Sequence, residues 1–159
     1  MLNKINNWID NLNRTYSEQK ISCRQFLQPF AAFYSEAFLD NASYVVVDKI
    51  PKPEFPELSE MGLGDFIDMP ASAITYKDTY YILVQSAESM RIHFHELVHV
   101  AQWQLLGAQG FISRYIQEIQ QFGYAQAPLE KMAYALDGHF AQGGESIVVP
   151  NYVAKQLSF

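Results

Sequence analysis

The sequence predicts an α+β domain with two N-terminal helices, a small twisted sheet, a long helix lying beside that sheet, and a C-terminal helical lobe. Three observations carry this expectation. Apolar residues recur at helical spacing near the start of the chain, at Leu2, Ile5, Trp8, Ile9 and Leu12. β-Branched and aromatic residues crowd instead into the middle, in "SYVVVDKI" (43–50) and "ASAITYKDTYYILVQ" (71–85). Between 87 and 106, apolar residues cover most of a helix's circumference, the pattern of a buried helix rather than a surface one.

The elements follow in order. After the first helix and a polar stretch around Glu18, the spacing of Phe26, Phe30, Phe33 and Ala37 predicts a second amphipathic helix, which Pro29 kinks or begins. Residues 43–50 form a strand. The prolines and glycines of "PKPEFPELSEMGLGDF" (51–66) predict an irregular, ordered surface loop in preference to a flap over a cleft. Residues 71–85 read as a hairpin with a tight turn at Lys77 and Asp78. Ser86 is placed to cap the long helix, Glu88 lies in its first turn, and Gly107 offers a stop. A further helix, "GFISRYIQEIQQFG", ends at Gly123, and Pro128 suits the first turn of the last one.

The 159 residues, 49% hydrophobic and 14% aromatic, suit a single domain spanning 1–159 with a real core. A formal charge of −6 argues against nucleic acid or an anionic membrane as partner, since both demand clustered Lys and Arg. Cys23 is the only cysteine, so no internal disulfide forms, and a buried, inert thiol is expected. No apolar run reaches membrane-spanning or signal-peptide length. The expectation is a soluble cytoplasmic protein.

Three of the four histidines fall within "HFHELVH", inside the long helix. At about 100° per residue, Glu88, Arg91, His95, Glu96, His99 and Gln102 gather on one side of it, with apolar residues over most of the rest. Desolvating such a stripe without a partner costs several kcal/mol, roughly, so it calls for one, and a metal ion is the simplest. His95-Glu96-Leu97-Val98-His99 is the H-E-x-x-H pattern. Histidines at i and i+4 converge on one Zn²⁺, while Glu96, about 100° round, falls beside the ion and can move a proton between water and a leaving amine. His93 lies about 200° from His95 and is assigned to packing or a surface hydrogen bond. A catalytic zinc needs a third protein ligand and an open fourth position. Gln102 and Leu105 stand where a metzincin needs glycine and histidine, so that class is excluded. On the helix that Pro128 opens, Glu130, Tyr134 and Asp137 share a face.

"HELVHVAQW" followed by "FGYAQAPLEKMAY" resembles the small bacterial gluzincin-type zinc metallopeptidase domains, in which an H-E-L-x-H-x-x-Q helix precedes a segment N-P-x-E-x-x-A-Y. The resemblance implies a zincin-like fold, His95, His99 and Glu130 as zinc ligands, and Glu96 as catalytic base. It also implies a sheet edge, here within residues 74–84, on which an extended peptide or protein substrate lies for hydrolysis by metal-activated water. Among other candidate third ligands, Glu118 sits amid Gln117, Gln120 and Gln121 and reads as part of a solvated face. Asp137 is short, His139 lacks the expected spacing, and Glu145 follows two glycines. Ala127 replaces the family's asparagine, and Tyr134 stands where larger gluzincins have aspartate. The hydrogen bonds behind the histidines then fall to Asp137 or Gln102. Tyr124, Tyr134 and His139 are all admissible donors to the transition state. The alternative function is a catalytically silent zincin-fold binding or regulatory module, for which an occluded cleft would speak.

Overall fold

Strand-forming residues at 43–50 and 71–85 pair across the middle of the chain and give the molecule its mixed α+β architecture. In the computed structural model, which describes residues 1–158, β2 (Ser43–Val47) lies parallel to β4 (Thr79–Leu83). β3 (Ala73–Tyr76) flanks β4 in an antiparallel hairpin, turning at Lys77 (φ 67°) and Asp78 as expected. A two-residue strand, β1 (Ile21–Ser22), completes an open sheet of order β1-β2-β4-β3. β3 is thus an edge strand, and it makes the most extensive sheet contact with the long helix.

α1 (Leu2–Thr15) forms where the periodicity places it and buries Ile5 and Ile9. The second expected helix does not form as one piece. A 3₁₀ turn (Cys23–Phe26), a run of turns and a short α2 (Glu36–Asp40) replace it. Pro29 has no N–H to donate and crowds the preceding turn. Isolated bonds such as Phe30 N–H to Phe26 O (2.9 Å) still deliver Phe26, Phe30 and Phe33 to the core. That segment therefore shows helical spacing without a continuous helix.

Residues 51–66 are more ordered than an irregular loop. Pro56 opens α3 (Pro56–Glu60), Gly62 turns the chain at φ 84°, and α4 (Gly64–Asp68) follows. Lys52 ties the segment's ends together, its Nζ donating to Phe66 O and Met69 O, each at 2.8 Å. Lys4–Glu57 (2.8 Å) and Gln120 Nε2 donating to Met61 O (2.8 Å) fasten its outer side.

α5 (Met90–Phe122) starts later than expected: residues 84–86 form a 3₁₀ turn, and Ser89 rather than Ser86 accepts the capping bond, from Ile92 N–H. Phe94, Leu97, Val98, Val100 and Ala101 are wholly or almost wholly buried, which makes this helix the spine of the core. Gly107 ends the first half of α5, as expected: its backbone at φ 73°, ψ 166° is non-helical, and a second helical half follows it to Phe122. α6 (Pro128–Ala141) packs along α5, and α7 (Val149–Gln156) docks on α5 through Val149 and Val153. None of the described residues of the tail, 148–158, lines the cavity discussed below; Phe159 lies outside the described residues. His93 is buried between Tyr80 Oη (2.6 Å) and Ala87 O (2.8 Å), a packing role. Cys23 is buried as well, and burial pushes its thiol up to about 12. Among the described residues no helix is long and apolar enough to cross a membrane.

The φ, ψ of Gly107 belong to a region essentially reserved for glycine, although the space around a Cβ there is empty. Gly107→Ala is expected to lower stability by about 1–3 kcal/mol through backbone strain alone. Equilibrium urea unfolding checks it, and an unchanged midpoint would mean that the break is not built in.

Candidate metal centre

The stripe on α5 and one face of α6 meet at a buried cluster. His95, Glu96 and His99 come from α5, and Glu130, in the first turn of α6, reaches across to them. Glu130 Oε1 lies 3.2 Å from His95 Nε2 and 3.1 Å from His99 Nε2. All three residues are at least nine-tenths buried, and one ligand atom from each lies within 4.8 Å of the others. Zinc bonds of roughly 2.0–2.1 Å at tetrahedral angles place ligand atoms about 3.3 Å apart, so this donor set could hold one divalent ion.

What stands behind these atoms fixes them. Asp137 Oδ2 is 2.7 Å from His95 Nδ1, and a carboxylate can only accept, so the ring donates from Nδ1. Arg91 Nε holds the other Asp137 oxygen at 2.6 Å. Gln102 Oε1 accepts from His99 Nδ1 at 2.8 Å, its orientation set by Nε2 donating to Leu129 O at 3.0 Å. Both candidates for this supporting task are thus in place, one per histidine, and both Nε2 atoms face Glu130.

The charges respond to this crowding. Burial opposes protonation of His95, but hydrogen bonds to Asp137 and Glu130 outweigh it and raise its pKa to about 10. Burial likewise opposes ionisation of Glu130, yet the charge of His99 and hydrogen bonds from both rings hold its carboxyl well below the usual range. Glu96 moves the other way: burial pushes its pKa up, against the pull of His95 and His99. Thr75 Oγ1, on β3, donates to Glu96 Oε1 at 2.8 Å and so fixes this carboxylate beside the triad. Glu96 Oε2 approaches no nearer than 4.0 Å to His95 Nε2.

The other sequence candidates divide. Tyr124 and Tyr134 share a hydroxyl contact of 3.0 Å, the ring of Tyr134 lies tilted 4.5 Å from that of His95, and Tyr124 lines the adjoining cavity. His139 points elsewhere: its Nε2 donates to Glu145 O at 2.7 Å, and its ring lies against Phe33. Glu118 does not lie on a solvated face. It is buried, accepts from Arg114 Nε at 3.1 Å, and its Oε1 accepts Leu129 N–H at 2.8 Å. Ala127 has no capping side chain, so Glu118 fills that place from the neighbouring helix. Tyr115 was not singled out by the sequence; its hydroxyl donates to Glu130 Oε2 at 2.6 Å. No local pattern marks it, because Gly107 redirects the helix that carries it.

A cavity of about 110 Å³ adjoins the cluster, with Glu96, His99 and Glu130 in its wall. Leu58 of α3, Phe66 of α4 and Leu63 between them form part of its wall, so residues 51–66 contribute to a cleft. Comparison with protein-family models, with curated proteins and with solved structures finds no match. The functional argument therefore rests on this geometry.

Removing the carboxylate that caps α6 should be felt directly. Glu118→Ala leaves Leu129 N–H buried without an acceptor and is expected to cost about 1–3 kcal/mol in urea unfolding. Glu118→Gln keeps an acceptor and should recover most of that loss; equal loss in both variants would contradict the capping role.

Proposed function

We propose that the protein is a zinc-dependent metallopeptidase with a zincin-like domain of the gluzincin kind, and that His95, His99 and Glu130 hold the metal. The observation that carries this reading is the convergence of two Nε2 atoms and one carboxylate oxygen on one buried point, with a fourth group, the Glu96 carboxylate, beside it and not aimed at it. Bound there, zinc lowers the pKa of a water molecule and polarises a carbonyl.

The chain's own residues account for the remaining chemistry. Glu96, gripped by Thr75, takes a proton from the attacking water and returns it to the leaving amine. Its burial-raised proton affinity suits a base that must also act as an acid. The hydroxyls of Tyr124 and Tyr134 stand as donors to the developing oxyanion. β3 supplies the substrate's rail. Ser72 O accepts Leu83 N–H, so alternation along the antiparallel pair turns the N–H and C=O of Ala73 and Thr75 to the open edge, where an extended peptide adds as a strand.

A catalytically silent binding module of the same fold is the second reading, and the narrowing of the cavity by residues of α3 and α4 favours it. One experiment separates the two. Glu96→Gln is expected to keep zinc while losing hydrolysis of a peptide library by about 10²- to 10⁴-fold, read by mass spectrometry. Asp137→Asn is expected to weaken zinc about 10- to 100-fold against a competing chelator. Zinc-loaded wild type that cuts nothing in the library would put the silent module in place of the enzyme.

A further inference from the structure

The cavity beside the triad has a chemistry of its own. Its far wall is mostly apolar: Ile9 comes from α1, Trp103 and Ile112 from the two halves of α5, and Leu58 and Leu63 from the 51–66 segment, with Trp103 Nε1 buried and without a hydrogen-bond partner among the described residues. The one cation in that wall, Lys52, is spent on the carbonyls of Phe66, Ile67 and Met69, at 2.8, 3.5 and 2.8 Å. It is not free to meet an acidic group. Glu96 and Glu130 are engaged by Thr75 and Tyr115. An acidic side chain entering here would lose its water and gain no partner, whereas an apolar one loses nothing.

Size and register narrow the occupant further. A volume of about 110 Å³ is somewhat below the roughly 150 Å³ of a dry engineered cavity that takes benzene. One isobutyl group therefore fills it, and a benzyl ring enters it in part, the cavity being open on one side. β3 residues Ala73 and Thr75 line the same cavity and turn their backbone to the open edge, so a strand added there directs alternate side chains toward it.

We propose that this cavity is a binding pocket for one bulky aliphatic or aromatic group, the leucine- or phenylalanine-sized side chain that a peptide substrate places beside the triad. The substrate role rests on the metallopeptidase reading; the pocket's preference for an apolar group does not. Because α1 and the α3–α4 segment form part of its wall, the N-terminal region takes part in specificity.

Two independent readouts test it. Peptides carrying Gly, Leu, Phe or Asp at one position beside the cut bond are compared by kcat/KM, and Leu and Phe should exceed Gly by at least about tenfold, with Asp below it. Ile112→Trp and Leu58→Trp, filling the cavity from opposite walls, should each collapse the Leu-to-Gly ratio toward one, with circular dichroism reporting that the variants fold. The second readout needs no metal: toluene added to chelator-treated protein should shift the methyl resonances of Ile9 and Ile112 in wild type, and that of Ile9 no longer in Ile112→Trp. Toluene binding without any peptide cleavage supports the pocket and removes the peptidase reading. Cleavage without preference for apolar residues, a Leu-to-Gly ratio that survives in both folded variants, or no toluene binding overturns the pocket, whatever becomes of the peptidase.

Discussion

Two imidazole nitrogens and a carboxylate oxygen facing one another at 3.1–3.2 Å, out of water, need a positive charge between them. Asp137 and Gln102 commit both Nδ1 atoms as donors, so each neutral ring turns a lone pair toward Glu130 Oε1. Glu96, Glu130 and Asp137 bring three negative charges and Arg91 one positive, which leaves the cluster with two uncompensated negative charges when the rings are neutral. Protons on the two rings can supply the deficit, and the pKa of each ring is raised. On the proposed reading a divalent cation supplies all of it, and the donor types and spacings suit zinc.

The rest of the fold is arranged around keeping those atoms in place. α5 must be apolar elsewhere to be buried, and the buried part of its polar stripe, from His95 to Gln102, faces chiefly α6 and β3. Gly107 breaks the helix so that its second half can turn, bringing Tyr115 onto Glu130 and Glu118 onto the start of α6. Glu130 is thus held through its own second oxygen and through the backbone beside it. The sheet contributes Thr75, which holds Glu96 just off the point where the three ligand atoms meet.

Much of the site was legible in the sequence because it is periodic. His95, Glu96, His99 and Gln102 follow from one helical face, and Glu130 and Asp137 from another opened by Pro128. Elements set by tertiary contacts were not legible. Phe26, Phe30 and Phe33 carry helical spacing, yet Pro29 and the packing of those rings select turns instead. Glu118 reads as solvated beside three glutamines; only the approach of α6 reveals it as a buried cap. Residues 51–66 carry the signals of a loop, and their short helices depend on a cavity to line and on Lys52 to close the segment's neck. Tyr115 and Thr75 share this character: each acts across a gap in sequence that no local pattern bridges.

The central claim is that one divalent metal sits among His95, His99 and Glu130. The zinc K-edge absorption spectrum of protein purified without a polyhistidine tag and given one equivalent of zinc tests it most directly. The account predicts two imidazole nitrogens at roughly 2.0–2.1 Å and carboxylate oxygen at roughly 2.0–2.2 Å, with no sulfur. The imidazole signal should disappear in the His95→Ala, His99→Ala double variant. A sulfur ligand at roughly 2.3 Å, which only Cys23 or a methionine could supply, or an unchanged spectrum in the double variant, would contradict it.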